Sequence, residues 1–106
     1  MDALEKIDKL RKDKNWSVYK LAEESGISQS TIANMFSRQT QPSFSTLQEI
    51  CKAFGITLSE FLDENNNMSD KELILIGNYR KLSKRDKEII ENLMSILINN
   101  KQKSET

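Results

Sequence analysis

Residues 21–36, LAEESGISQSTIANMF, contain two helical segments separated by a single glycine. Gly26 follows a run of good helix formers, and a glycine there ends a helix because it adopts the left-handed conformation without a Cβ penalty. The next segment starts within two residues at Ser28, a favoured N-cap residue. It is rich in Gln, Ser, Thr and Asn, for which a helix that only packs against a core has no use. The stretch therefore predicts two short helices around a tight turn, with the second presenting polar side chains outward.

The small and apolar residues around this turn have the spacing that two crossing helices require. Ala22 is small where the second helix would cross close above the first, and Ile27 fills the turn. Ile32 and Met35 are placed to hold the second helix against the first. Ser25 is a mild departure from this pattern, because the residue at that position of a helix-turn-helix is usually apolar. Two helices that cross steeply leave the second one projecting, in the arrangement that enters a DNA major groove.

Helical patterns flank this turn on both sides. Residues 2–13 carry an apolar stripe at helical spacing, and Ser17 is a good N-cap for the segment VYKLAEES. After the loop SRQTQPS, in which proline bars helix continuation, a fourth helix is predicted from about Phe44 to Gly55. We expect Trp16 and Phe44 to lie in the core of this unit.

Pairs of hydroxyl and acidic residues mark the starts of three more helices. Thr57 with Glu60, and Ser69 with Glu72, form capping boxes, in which each side chain satisfies the other residue's backbone N–H. Ser83 and Asp86 resemble a third. The polar break DENNNMS, residues 63–69, is the best candidate linker. We therefore predict two domains, a helix-turn-helix unit at residues 1–64 and a C-terminal helical segment at 69–100. The predicted fold is all-α, with five helices followed by a C-terminal helical hairpin.

Composition excludes several classes of protein. Histidine is absent, Cys51 is the lone cysteine, and no glycine-rich phosphate loop occurs, so we expect no catalytic residue, no metal and no cofactor. The same absences predict that the protein is not an enzyme. No segment has the length and apolarity of a membrane span or signal peptide, which predicts a cytoplasmic protein. The 16 basic residues equal the 16 acidic ones, so the usual basic signature of a nucleic-acid binder is missing.

The segments LAEESGISQSTIANMF and PSFSTLQEICKAFGITLSEFL, in their five-helix order, resemble the Cro/C1-type helix-turn-helix family, also called XRE, of bacterial and phage repressors. The resemblance runs from about Leu4 to Leu62. It implies a compact five-helix, repressor-like DNA-binding domain in which residues 29–36 form the recognition helix. The function that it implies is that of a transcriptional regulator, more often a repressor than an activator, whose partner is double-stranded DNA. No small-molecule ligand is evident.

The resemblance also assigns residues to the two kinds of DNA contact. It implies base contacts by Gln29, Ser30 and Asn34, with Thr31 as a further candidate. It implies phosphate contacts by Ser17, Thr40, Gln41 and Arg38. The chain departs from the family at Arg38, a place often held by glycine. Either Arg38 is left-handed, or the loop after the recognition helix has another shape.

The C-terminal helices are too apolar to be exposed to water on all sides. We predict that they form a homodimer, which would match a palindromic operator because a two-fold axis relates the two recognition helices. The predicted interface consists of Tyr79, Ile89, Ile90, Leu93, Met94 and Leu97. Two alternatives remain open: the helices fold back on residues 1–62, or the whole protein is an antitoxin or another protein-interaction module with the same fold.

Overall fold

The computed structural model of the protein describes residues 2–64 and 68–105, and the side chains of the last helix up to residue 100. Over these residues the fold is all-α, as predicted. The helices are α1 (Ala3–Asp13), α2 (Val18–Ser25), α3 (Gln29–Arg38), α4 (Phe44–Phe54), α5 (Leu58–Leu62), α6 (Asp70–Arg80) and α7 (Lys84–Glu105). The middle of the predicted linker, residues 65–67, lies outside the described residues.

Side-chain caps set the helix starts where the sequence predicted them. The hydroxyls of Ser17 and Ser28 accept the backbone N–H groups of Lys20 and Thr31, respectively. Both complete capping boxes are confirmed, at the starts of α5 and α6. At the start of α7, Ser83 Oγ accepts the N–H of Asp86 at 3.1 Å. Each of these bonds satisfies a donor that has no partner within its own helix.

The core of the first five helices is formed by the predicted apolar stripes. Leu21, Ile32 and Phe54 are fully buried, and the Trp16 ring stacks on Phe54 with centroids 5.4 Å apart. Trp16 is thus half-buried against the core, as expected. The prediction for Phe44 was wrong, because its side chain is 68% exposed. It is the first residue of α4, where its side chain lies beyond the face that packs inward.

The turn between α2 and α3 has the predicted geometry. Gly26 is left-handed at φ 73° and its N–H reaches Ala22 O. Ser25, the departure from the usual apolar pattern, is buried, and its hydroxyl donates to Ala22 O at 3.3 Å. That bond removes the cost of burying an unpaired hydroxyl.

Gly26→Val is expected to destabilise the domain. A Cβ at this position would have no heavy atom within 4 Å, so the penalty comes from the positive φ and not from crowding. A left-handed non-glycine residue costs about 1–2 kcal/mol, and a β-branched one more. Thermal unfolding measures the loss, with Gly26→Asn as the matched control because asparagine tolerates this conformation. A valine variant that melts like the parent would contradict the turn assignment.

Helix α6 packs onto the five-helix unit, against α1 and α4. Leu73 and Ile74 are buried in the same apolar cluster as the residues of α1, α4 and α5. At the crossing of α6 with the end of α4, a Cβ on Gly77 would lie only 2.1 Å from Phe54 O. The packing therefore crosses the predicted boundary near residue 64, and we propose that residues 1–64 and α6 fold as one unit.

An ion pair closes the outer edge of this packing. Arg80 makes a bidentate contact with Glu60, at 2.8 and 2.7 Å. The Arg80 guanidinium and, next, the backbone N–H of Thr57 lower the pKa of the Glu60 carboxyl from 4.5 to about 2. The carboxylate therefore stabilises the fold through its charge.

Glu60→Gln is expected to lower stability near neutral pH but not in strong acid. The pKa of Glu60 is depressed on folding, so its contribution is complete above its unfolded value and is lost as pH falls from about 4.5 to about 2. Since the pair is partly exposed, the effect should be about 1 kcal/mol or less. Urea unfolding at a series of pH values measures it. A wild-type advantage that is unchanged from pH 6 to pH 2 would contradict this role of the charge.

Helix α7 behaves differently from α6. Its side chains are exposed at every position from 88 to 100, and α6 and α7 do not pack side by side along their lengths. The molecule is accordingly elongated, with extents of 56 × 29 × 21 Å. Of the two C-terminal helices, only the first folds back on residues 1–62. Among the described residues no helix is long and apolar enough to cross a bilayer.

Candidate nucleic-acid interface

Helix α3 has one buried face and one exposed face. Ile32 and Met35 point into the core, whereas the predicted base-contacting residues are all exposed. These are Gln29, Ser30, Thr31 and Asn34. They lie in the first turns of the helix, the part of a recognition helix that reaches base edges.

Hydrogen bonding within α3 divides these residues into two groups. Thr31 Oγ1 lies 2.6 Å from Ser28 Oγ, which also accepts the Thr31 N–H, so the Thr31 hydroxyl takes part in the helix cap. Over the described residues, the side-chain amides of Gln29 and Asn34 have no hydrogen-bond partner within the protein. Their donors and acceptors therefore remain available to a ligand.

The loop after α3 settles the open question about Arg38. Arg38 is the last residue of the helix, and Gln39 takes the left-handed conformation at φ 57°. The Gln39 amide Nε2 donates to Phe36 O at 3.1 Å, which gives the helix end a further partner. The position that needs glycine-like geometry is thus one residue later than the family pattern places it. Gln39 was not predicted to end the helix, because the sequence has no glycine or asparagine at this position.

A surface cleft of about 330 Å³ joins the end of α3 to the start of α4. Its lining brings together candidates from both predicted groups. The lining residues are Thr31, Asn34, Met35, Arg38, Thr40, Gln41, Pro42, Ser43 and Thr46. A hollow on the other side of α3 is bordered by Gln29 and Tyr19. Ser17 caps α2, and its hydroxyl already accepts Lys20 N at 3.0 Å.

The cleft contains two polar residues, Ser43 and Thr46, that were not predicted to belong to the site. Ser43 caps α4, accepting the N–H of Thr46 and donating to the Thr46 hydroxyl at 3.0 Å. The sequence does indicate this helix start, because a serine directly after a proline and before an apolar helix is typical of one. The N-terminus of α4 therefore opens onto the cleft, where its partial positive charge favours anions.

Charges around α3 are distributed unevenly. On α2, Lys20 lies 3.1 Å from Glu23 and 3.0 Å from Glu24, and these carboxylates raise the pKa of Lys20. Over the described residues, Arg38 has no acidic group within 4 Å. Gln41 donates weakly to Asp2 at 3.3 Å. Arg38 is therefore the cation that the cleft presents to an incoming anion. No cluster of His, Cys, Asp or Glu among the described residues is arranged to hold a metal.

A two-helix unit with a left-handed glycine turn, a polar outward helix and a cationic cleft beside it defines a helix-turn-helix domain. The family model described as helix-turn-helix matches residues 7–61, which are 55 of the 106 residues. The chain belongs to this family, the Cro/C1-type helix-turn-helix proteins.

Two curated relatives share this region. The "HTH-type transcriptional regulator PuuR" of Escherichia coli (strain K12) and that of Shigella flexneri are each 29% identical to the chain over 70 residues. The aligned region is 66% of this chain and 38% of each relative, so the chain spans well under half their length. A LysM domain model also matches residues 45–78, where the described residues form α4, α5 and most of α6. No solved structure matches the chain.

Proposed function

We propose that the protein is a sequence-specific transcriptional repressor that occupies a palindromic operator as a homodimer. The observation that carries the proposal is the exposed face of α3, on which the amides of Gln29 and Asn34 have no partner within the described part of the chain. Glutamine and asparagine bind adenine bidentately through its N6 and N7 atoms. The proposed operator half-site therefore contains adenines at the positions facing these residues.

The remaining polar residues complete the docking surface. Ser30 and Thr31 carry hydroxyls that can pair with base donors or acceptors, and Arg38 is placed to meet a phosphate. Thr40 and Gln41 lie beside Arg38 in the cleft. Ser17, at the start of α2, contacts the phosphate backbone of the DNA in this proposal. Phosphate contacts of this kind fix the register of a protein on DNA, while base contacts carry the specificity.

The charge balance gives a reason for binding in pairs. A chain with equal numbers of acidic and basic residues gains little from non-specific phosphate attraction. Useful affinity must then come from base contacts and from two linked copies that bind together. An operator with two half-sites provides the base contacts and also lets the two linked copies bind together.

Helix α7 supplies the surface for a second copy. The predicted interface residues Ile89, Ile90, Leu93, Met94 and Leu97 are all exposed, as are Ile96 and Ile98. At about 100° per residue, these side chains cover roughly 200° of the helix surface. An exposed apolar patch of this width marks an interface. We propose that α7 pairs with α7 of a second copy, and that this pairing is the homodimer contact.

Asn34→Ala and Gln29→Ala are expected to weaken binding to the selected operator by roughly 1–3 kcal/mol each, because each removes a bidentate base contact. Binding to random duplexes should hardly change. The operator is obtained by selecting bound sequences from random duplexes, and affinities are measured by titration at one fixed salt concentration. Asn92→Ala, which removes an exposed amide from α7, is the matched control.

Two outcomes would contradict the proposal in different ways. Equal losses on operator and random DNA would mean that Gln29 and Asn34 hold the backbone or the fold and do not read bases. A selection that returns no consensus would favour the protein-interaction alternative. A reporter driven from the selected operator, silenced when the protein is present, tests the repressor assignment.

A further inference from the structure

The C-terminal end of α6 is fastened to the end of α4 by two cationic side chains. Arg80 Nη1 donates to Gly55 O at 3.0 Å while the same guanidinium holds Glu60. Lys81 Nζ donates to Ala53 O. Both carbonyls belong to the last turn and cap of α4, where backbone acceptors lack helical partners and attract cations. This fastening is the α4–α6 clamp, formed by Glu60, Arg80 and Lys81.

Further contacts hold both Glu60 and Lys81 of the clamp in place. Glu60 is oriented by its own capping box, because its Oε1 accepts the Thr57 N–H at 2.8 Å. Lys81 also lies over the Trp16 ring, 5.5 Å from its centroid, and Lys14 lies 4.8 Å from the same ring. The position of α6 is therefore defined by contacts to both the α1–α2 turn and the end of α4.

Helix α7 begins shortly after the end of α6, so its direction depends on how the end of α6 is held. Lys81, Leu82 and Ser83 separate the two helices. Leu82 N donates to Tyr79 O at 3.1 Å, which keeps this link compact. Lys87, in the first turn of α7, lies 5.4 Å from the Tyr79 ring centroid. Tyr79, predicted to lie in the dimer interface, is half-buried at the α6–α7 joint.

We infer that the α4–α6 clamp sets the direction in which α7 leaves the DNA-binding unit, and that it thereby selects the half-site spacing the dimer accepts. This inference rests on the proposed function, in which α7 joins the two copies. In the proposed dimer only α7 joins the two copies. The angle between α6 and α7 then determines where the two α3 helices lie. Operators whose half-sites are separated by other distances would require the clamp to open.

The first test measures geometry without DNA. A spin label on Lys9→Cys, an exposed position on α1, reports the distance between the two copies in the dimer. Cys51 is buried, and burial raises the pKa of its thiol to about 11, so labelling is confined to the new cysteine. We expect one narrow distance distribution for the unaltered clamp. In Arg80→Ala/Lys81→Ala it should become at least twice as broad.

The second test measures binding to a series of operators in which the spacer between half-sites varies by single base pairs. The unaltered protein should prefer one spacer by tenfold or more, and Arg80→Ala/Lys81→Ala should reduce this preference to about threefold. Affinity for a single half-site should stay the same. The matched control is Glu49→Gln/Lys52→Gln, which removes an exposed ion pair of α4 at 3.6 Å and should leave the preference intact.

The outcomes separate this inference from the proposed function. A folded, dimeric clamp variant that keeps both the narrow distance distribution and the sharp spacer preference would overturn the inference alone. An unaltered protein that dimerises with a narrow distribution but selects no DNA sequence would overturn the proposed function, while the geometric role of the clamp would stand on the first test. Circular dichroism and sedimentation of each variant show that it is folded and paired.

Discussion

Gly77→Ala is expected to destabilise the protein by about 3 kcal/mol, at the upper end of the range for overpacked cores. An added Cβ would lie 2.1 Å from Phe54 O and 3.3 Å from Phe54 C, both backbone atoms of α4 that no side-chain rotation can move. The facing Gly55 is equally constrained, since its own Cβ would lie 2.6 Å from Gly77 O and its φ is 77°. Helix α6 would have to move away from α4, which would expose Leu73 and Ile74.

The test is decisive because packing and helix propensity predict changes of opposite sign in the free energy of unfolding. Helix propensity alone predicts that replacing a mid-helix glycine with alanine stabilises the chain by about 1 kcal/mol. Urea unfolding with a two-state fit separates the two expectations, and Leu75→Ala, which alters an exposed side chain of the same helix, is the control. A Gly77→Ala protein that is as stable as the parent, or more stable, would show that the close approach of α6 and α4 is absent in solution.

The contact between Gly55 and Gly77 also shows what the sequence could not predict. Gly55 was predicted as the end of α4, and its positive φ confirms that reading. Nothing in the local pattern indicates that it meets a second glycine more than twenty residues away. Helix starts and ends depend on neighbouring residues and were therefore predictable, whereas a backbone approach between distant helices depends on the packed fold.

The two C-terminal helices illustrate the same limit. Both have apolar stripes at helical spacing, so periodicity predicts two amphipathic helices without saying what covers each one. In the structure α6 is covered by α1 and α4, and α7 is exposed. Phe44 was misjudged for a related reason, since an aromatic residue at a helix start can face either way. Burial is a property of the partner surface as well as of the residue itself.

The candidate site was more predictable than the packing, since it lies on one continuous segment. The turn at Gly26 and the outward face of α3 follow from residue spacing between Leu21 and Phe36. The loop after α3 was not predictable, because Gln39 adopts its left-handed conformation against its intrinsic preference. Its backbone N–H, directed at Met35 O and Phe36 O, and its side-chain bond to Phe36 O offset that cost.

A protein truncated after Leu82 is expected to stay folded, to become monomeric and to bind its operator 10²- to 10⁴-fold more weakly, because the second half-site contact is no longer intramolecular. The truncation removes α7 and leaves α6 with its buried Leu73 and Ile74 and its contacts to Glu60 and Ala53 in place. A cut at residue 64 would instead remove part of the core.

Sedimentation and titration against full and half operators measure the two effects of this truncation. Affinity for a single half-site should equal that of the parent, since α3 and its cleft are unchanged. Leu93→Asp/Leu97→Asp in the full-length chain should have the same effects, because two carboxylates would then be buried between the paired α7 helices. Ser95→Ala, on the polar side of α7, is the control. If the truncated protein still sediments as a dimer, the interface lies on α1–α6, and the exposed apolar residues of α7 serve a different partner.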